Sequence, residues 1–325
     1  MEMNVIMSSD EKYAPYMGIT ITSILENNKK FDNIIVHVLD GGISSENLNK
    51  MDVLKKKYSF FDYKIYDASI IKNWMPELKK GSIGELLGYG AFGRLFIHKF
   101  LSDDVDKVLY LDADIVVDND LYGLYNTDLS ENYCAGVIDI LNTRWIYELG
   151  MDKDTIFVNS GVLLINLKKW REDNVEKKFI EFMNKSHGTD LNDQNVINSV
   201  FTGSIGILDL KYNFINELSD FSYHKHLHRW KLKDYWSCQE FENAKKNPSV
   251  IHYAAPFFMK PWVENSKTYM KKVYLNYKKI SPWNNIPLEI FKLNLRQKNY
   301  MLINKTMILL PTPISLFLVK MKSLL

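Results

Sequence analysis

The chain has 325 residues, of which 46% are hydrophobic and 25% charged, an ordinary globular composition with room for one large core or two domains. A net charge of +2 gives no ground for nucleic acid as a partner. Two cysteines, Cys134 and Cys238, make no disulfide framework and imply a reducing compartment, and the first residues lack the basic and long apolar regions of a signal peptide.

Short β-branched runs alternate with amphipathic stretches, which predicts an α/β fold with a mainly parallel sheet flanked by helices. Residues 4–7 read as the first strand, ending at Ser8-Ser9-Asp10-Glu11-Lys12-Tyr13. In a doubly wound sheet the loop after strand one meets the ligand, so Asp10 and Tyr13 are candidates to hold a base or ribose. Taken alone, Asp10 reads better as a cap for the next helix. No G-x-G-x-x-G and no G-x-x-x-x-G-K-[ST] is present, so neither a dinucleotide nor a P-loop is supported. Residues 16–26 read as a helix, 34–39 as a strand, 62–66 as a strand, and 92–100 as a helix. Ser44 reads as the N-cap of a helix running to about Tyr58.

Val108 to Leu111 is an apolar run that stops at Asp112-Ala113-Asp114. Two carboxylates at a strand's C-terminal end suit a divalent cation and, through it, a phosphate-bearing ligand. The spacing alone is weak, because Asp104/Asp106, Asp118/Asp120 and Asp152/Asp154 repeat it. Those three pairs lack a preceding strand-like run; Asp118/Asp120 and Asp104/Asp106 in particular read as turns and caps.

Strands follow at residues 135–140 and 161–165, a helix at 175–183, and a short strand at 250–252. Asn159-Ser160-Gly161 joins a polar turn to a buried strand, and its glycine permits close approach to a ligand. Asp193-Gln194 opens an amphipathic helix; Asp193 reads as an N-cap, whereas Gln194 has no capping need. His252 ends the last apolar run, with Lys260 eight residues on. His224, His226 and His228 alternate as strand ligands would, but Lys225, Arg229, Lys231 and Lys233 repel a metal there. A basic and aromatic surface, with Tyr223, Trp230, Tyr235 and Trp236, is the better reading of that stretch.

From Ile286 to Leu325 there are six basic residues and one acid, Glu289. The longest uncharged stretch, 306–319, is 14 residues and contains Pro311 and Pro313, too short to span a bilayer. Basic and apolar together suit a segment lying on an anionic membrane surface. The simplest division is a catalytic domain over residues 1–280 and a basic, apolar C-terminal tail over 281–325.

Six segments in order carry a resemblance: NVIMSSDEKYAPY with HVLDGGIS, AFGRLFI, YLDADIVV, FVNSGVLLINLKKW, DQNVIN and IHYAAPFFMKPW. Together they are similar to the family 8 glycosyltransferases, retaining and metal-dependent enzymes on the GT-A nucleotide-sugar-binding fold. Within that family the bacterial lipopolysaccharide galactosyl- and glucosyltransferases look nearest. The resemblance covers roughly residues 4–262. It implies that Asp10 and Tyr13 hold uridine and Arg94 contacts the nucleotide-sugar. It implies that Asp112, Asp114 and His252 ligate Mn²⁺, with Ala113 between the two carboxylates in the nucleotide-sugar site. Asn159 and Gly161 would line the sugar site, Asp193 would bind the sugar's hydroxyls, Gln194 would lie beside the anomeric carbon, and Lys260 would bind the diphosphate. Two carboxylates and an imidazole favour Mn²⁺ over Mg²⁺. Lys12 stands where the family commonly has asparagine, and the H-x-x-G-x-x-K loop has Ala255 for glycine and two extra residues before Lys260.

The expected reaction is transfer of galactose or glucose from UDP-galactose or UDP-glucose to a hydroxyl of a glycan or glycolipid, such as lipopolysaccharide. Asp193 and Gln194 are the candidates at the reacting face, by a carboxylate nucleophile or by front-face transfer. The expected location is the cytoplasm, at the inner face of the cytoplasmic membrane. Two rivals come with it. LDADIVV also resembles the start of haloacid-dehalogenase-type phosphatases, with Asp112 as nucleophile, and a non-catalytic nucleotide-sugar-binding or membrane scaffold would keep the same pocket.

Overall fold

The computed structural model describes residues 1–77, 80, 89–186, 191–230, 235–254 and 256–309. The sequence features at Lys231, Lys233 and Ala255, and the tail from residue 310 onward, lie outside the described residues.

Among the described residues ten strands form two sheets: β1 (Glu2–Ser9), β2 (Asn33–Asp40), β3 (Phe61–Asp67), β4 (Lys107–Leu111), β5 (Ile115–Val117), β6 (Cys134–Ile138), β7 (Val158–Asn166), β8 (Ile205–Ile207), β9 (Phe214–Ile215) and β10 (Val250–His252). The large sheet has the order β3-β2-β1-β4-β7-β6-β8, and the small one β5-β10-β9. β1 pairs in parallel with β2 and β4, and β2 with β3. Among the described strands of the large sheet, β7 alone runs antiparallel to its neighbours, β4 and β6. This one reversal shapes the site. It sets the start of β7 beside the end of β4, with Val162 opposite Leu111. β10 runs antiparallel to β5, which sets His252 opposite Ile115, directly after Asp114.

Among the described residues the helices of eight residues or more are α1 (Ala14–Asn27), α2 (Ser45–Lys57), α3 (Val175–Lys185), α4 (Asp193–Val200), α5 (Tyr223–Trp230), α6 (Cys238–Lys246), α7 (Lys271–Ile280) and α8 (Leu295–Leu309). Apolar side chains pack in two clusters, one containing α1 and α2 residues and the other α3 and α4 residues. Ser44 caps α2 by accepting from Asn47 N–H, and Lys55, Lys56 and Lys57 close its last turn, where cations suit the helix dipole. α1 steadies the Asp-x-Asp turn from behind. Thr20 Oγ1 donates to the Ile115 carbonyl at 2.6 Å, and Ser23 Oγ accepts from Val117 N–H at 2.9 Å.

Two elements differ from the sequence reading. Residues 92–100 are not one helix: a 3₁₀ turn, Gly93–Phe96, separates short helical turns at Tyr89–Phe92 and Ile97–Phe100. All four residues of the 3₁₀ turn are buried, whereas a regular amphipathic helix would send some of them to solvent. The stretch at 223–230 is helix α5, not a strand, so alternate histidines do not share a face. His224 is exposed, while His226 is buried against the Phe241 ring, with centroids 5.2 Å apart.

Burial lowers His226 from 6.5 to about 4, and it lowers the buried His37 to about 4 as well, with Lys64 adding to the effect. A base depressed in the fold binds fewer protons than it does unfolded, so stability is complete above pH 6.5 and is lost as pH falls toward 4. Each histidine accounts for at most about 3 kcal/mol of that loss. The melting temperature should therefore fall steeply over that interval, and His37→Gln should flatten the slope.

Residues 281–291, assigned to the tail by sequence, pack on the body. Trp283 is 1% exposed; its ring fills the space that a side chain at Gly18 would need, and its Nε1 donates to Asn47 Oδ1 at 2.7 Å. Glu289 bridges Val263, exchanging backbone bonds with Trp262 and Glu264, and accepts from the Tyr16 hydroxyl. Ending the chain at residue 280 should cost about 3–5 kcal/mol through loss of Trp283 alone, seen as a lower melting temperature, whereas ending it at 293 should not. Among the described residues no helix is long and apolar enough to cross a membrane.

Candidate active site

Asp10, Tyr13, Arg94, Asp112, Ala113, Asp114, Asp193 and Gln194 line one cleft of about 700 Å³ over the C-terminal ends of β1 and β4. Ser160 and Lys12 line it as well. Asn159, Gly161, His252 and Lys260 join it from beneath through direct contacts. In two of the other Asp-x-Asp pairs the carboxylates have structural partners: Asp118 accepts from the Tyr277 hydroxyl, Asp120 from Tyr122 N–H, and Asp152 from Asp154 N–H.

At the mouth, Asp10 Oδ1 accepts from Tyr13 N–H at 2.9 Å, so its local capping duty is real. The residue remains exposed on the cleft wall. The Tyr13 ring stands edge-on to Tyr16 and Trp262, which are themselves stacked at 3.8 Å. Burial, with Asp114 and Asp10 nearby, pushes the Tyr13 hydroxyl up to about 12, so it stays a neutral donor.

Arg94 is a buried hub. Nη2 bonds Asp112 Oδ1 at 2.9 Å, Nε pairs with Asp193 Oδ2 at 2.8 Å, and Nη1 donates to the carbonyl and hydroxyl of Ser160 at 2.7 and 3.0 Å. The guanidinium also stacks on Tyr110, whose hydroxyl donates to the same Asp112 oxygen at 2.9 Å. Burial opposes its charge, but Asp112 and Asp193 outweigh burial and keep it cationic. Every nitrogen of Arg94 thus has a protein partner, which lets the residue organise the carboxylates from the cleft wall.

Asp112, Asp114 and His252 bring ligand atoms within 4.8 Å of one another. His252 Nδ1 lies 2.9 Å from Asn213 Oδ1, and the Asn213 amide nitrogen donates to Asn159 Oδ1 at 2.9 Å. An oxygen therefore faces Nδ1, so Nδ1 carries the proton and Nε2 presents a lone pair. That lone pair points at Asp114 Oδ1, 3.3 Å away, and Asp112 Oδ2, 3.8 Å away. Three acceptors converging this closely repel one another unless a cation sits between them. Two carboxylates and one imidazole make a donor set that could hold a divalent cation. Gly161 keeps the space open: a Cβ there would overlap the His252 ring and lie 2.7 Å from Asp112 Oδ2.

Lys260 reaches this corner despite its longer loop. Its Nζ is 2.5 Å from both Asp114 Oδ2 and the Tyr253 carbonyl. Burial works to raise Asp114, but the Lys260 ammonium overrides it and holds the carboxyl well below the usual range. Asp193 is not the cap of α4. Asn192 takes that task, accepting from Asn195 N–H, which frees the Asp193 carboxylate for Arg94 and Ser160. Gln194 Oε1 accepts from Ser160 N–H at 2.9 Å, and its amide donates to Asp139 Oδ2 at 3.2 Å.

The sequence reading missed Tyr110, Asp139, Ser160 and Asn213 as members of the site. Asp139 bears the signal that exposed Asp112, a carboxylate just past an apolar strand, here β6. Asn213 sits in a 3₁₀ turn, Leu210–Asn213, and has no such signal.

The sequence profile of Glycosyl transferase family 8 matches residues 4–266. The chain belongs to this family. Relatives include a Haemophilus influenzae protein named only as a glycosyltransferase, 30% identical over 217 residues, which are 65% of this chain and 63% of that one. Lipopolysaccharide 1,2-glucosyltransferase of Escherichia coli is 29% identical over 294 residues, 87% of this chain and 80% of that one. Among solved structures, the galactosyltransferase LgtC in complex with donor and acceptor sugar analogues superposes with a TM-score of 0.70 at 23% identity, over 91% of this chain and 99% of that one. The mixed, mainly parallel sheet flanked by helices is therefore the GT-A fold.

Proposed function

We propose that this family 8 member transfers galactose or glucose from a UDP-sugar to a hydroxyl of a bacterial surface glycan or glycolipid of the lipopolysaccharide type, with Mn²⁺ and with retention. The observation that carries the reading is His252 Nε2 set 3.3 Å from Asp114 Oδ1 and 3.8 Å from Asp112 Oδ2 beside a polar cleft.

When bound between these three residues, the cation supplies Lewis-acid neutralisation of the charge that grows on the departing diphosphate. The protein's own groups act around it. Lys260 brings an ammonium to the same wall, where it can pair with phosphate oxygens. Tyr13 offers an aromatic edge and a neutral hydroxyl at the end where uridine would lie, and Asp10 offers a carboxylate. Arg94 holds Asp112 and Asp193 in register and offsets their mutual repulsion. Asp193 is tied up by Arg94, which makes it a weak nucleophile and favours front-face transfer beside Gln194.

Membership of a glycosyltransferase family over residues 4–266 argues against the dehalogenase-type reading, and Asp112 Oδ1 is held by Arg94 and Tyr110. We place the enzyme at the cytoplasmic face of the membrane, with its basic tail on anionic lipid, because six basic residues there face one acid. Full-length protein should sediment with anionic liposomes; failure to do so refutes that location.

A panel of UDP-sugars with Mn²⁺ and no acceptor tests the reaction itself. Slow release of UDP from UDP-galactose or UDP-glucose is expected. Tight UDP binding without release or transfer across an acceptor panel would instead indicate the scaffold.

A further inference from the structure

We propose that Asp139 is a positioning residue that ties the reacting face to the cation seat. One of its oxygens holds the carboxamides of both Gln194 and Asn159, and Asn159 passes that order through Asn213 to His252. The proposal rests on reading Asp112, Asp114 and His252 as a cation seat.

Each link has a defined polarity. Asp139 is 4% exposed. Its Oδ1 accepts from Leu141 N–H at 2.6 Å, and its Oδ2 accepts from Asn159 Nδ2 at 2.9 Å and Gln194 Nε2 at 3.2 Å. The donated amide leaves Asn159 Oδ1 facing the other way, where it accepts from Gly161 N–H at 3.0 Å and from Asn213 Nδ2 at 2.9 Å. Asn213 in turn presents its oxygen to His252 Nδ1–H at 2.9 Å. All the donors of this chain point back toward the carboxylate. The far end is a histidine whose free lone pair faces the seat. On the other arm, the Gln194 amide nitrogen is committed to Asp139, so its carbonyl turns to Ser160 N–H at 2.9 Å.

Such a chain is costly to bury unless it performs a task. Asp139, Asn159, Asn213 and His252 are all at most 9% exposed, where apolar residues would satisfy packing without desolvating four polar groups. What the chain provides is a fixed tautomer and ring orientation at His252 and a fixed flip at Gln194. Partners behind a metal-binding histidine commonly govern its affinity by about 10–100-fold.

The test titrates Mn²⁺ alone into the full chain, following free Mn²⁺ by electron paramagnetic resonance, with melting temperature as the control for folding. Asp139→Asn puts a donor where the chain needs an acceptor, so Asn159 and Gln194, or Leu141 N–H, meet an N–H instead of an oxygen. A loss of about 10-fold in Mn²⁺ affinity is expected. Asn213→Ala cuts the chain in the middle and should lose as much. If the order travels through Asn213, adding Asp139→Asn to Asn213→Ala costs no further affinity. With Mn²⁺ and donor saturating, Asp139→Asn should still lower kcat of UDP-sugar hydrolysis more than Asn213→Ala does, because only Asp139 holds Gln194. Wild-type Mn²⁺ affinity in a folded Asp139→Asn, or losses that add in the double variant, would overturn the proposal. Should Asp139→Asn not fold, wild-type affinity in Asn213→Ala would overturn it alone. Absence of Mn²⁺ binding by the unmodified chain would instead refute the seat, and the relay with it.

Discussion

Gly161→Ala should lose at least about 100-fold in UDP-sugar turnover while the protein still folds. The backbone of Gly161 is ordinary strand, so the substitution introduces no conformational strain; the effect is wholly one of space. The new methyl would overlap the His252 ring and crowd Asp112 Oδ2 at 2.7 Å. Neither neighbour can yield. His252 is pinned by Asn213 and by its place in β10, and Asp112 is held by Arg94, Tyr110 and its own N–H to the Gly161 carbonyl at 2.9 Å. Something in the seat therefore shifts, and a displacement near 1 Å is enough to cost about 100-fold. Overpacking should lower stability by about 1–3 kcal/mol, which leaves the chain folded at room temperature. Turnover and Mn²⁺ affinity measured together separate the cases. Wild-type values for both would show that the space between Gly161, His252 and Asp112 is not where the cation sits.

Asp114→Asn should be more damaging still, with turnover falling on the order of 1,000-fold. The seat loses one of its two charges, and Lys260 loses its counter-ion. Lys260 is 7% exposed, so its stranded ammonium should also destabilise the fold by about 3–5 kcal/mol. The two losses are separable. Adding Lys260→Met to Asp114→Asn removes the unpaired charge and should recover most of the melting temperature, yet none of the turnover. Recovery of turnover in that double variant would mean that Asp114 acts only as a partner for Lys260.

Local chemistry was legible in the sequence wherever a residue's task is settled by its near neighbours. Ser44 before an amphipathic run is a cap whatever the tertiary fold, and Val250–His252 is too apolar and too short to be anything but a buried strand. The Asp112-Ala113-Asp114 turn was singled out because an apolar strand leads into it. What sequence could not supply was the pairing. The reversal of β7 brings Asn159, Ser160 and Gly161 under Asp112, and no local pattern encodes a partner fifty residues away. The same holds for Asn213, which meets His252 across 39 residues. The histidines at 224–228 misled for a related reason: an alternating pattern suggests a strand, but burial of Tyr223 and His226 against Phe241 stabilises a helix there. Trp283 and Glu289 look like any residues in a basic segment, and only packing against Gly18 and Tyr16 shows their place against the body.

The most direct test of the cation seat is a crystal structure of the full chain grown with Mn²⁺ and UDP, using anomalous scattering to locate the metal. The account predicts one strong anomalous peak bonded to Asp112, Asp114 and His252 Nε2, with the UDP phosphates on the same ion and the uracil toward Asp10 and Tyr13. A peak elsewhere, or UDP bound in this cleft with no metal between it and Asp112, would contradict it.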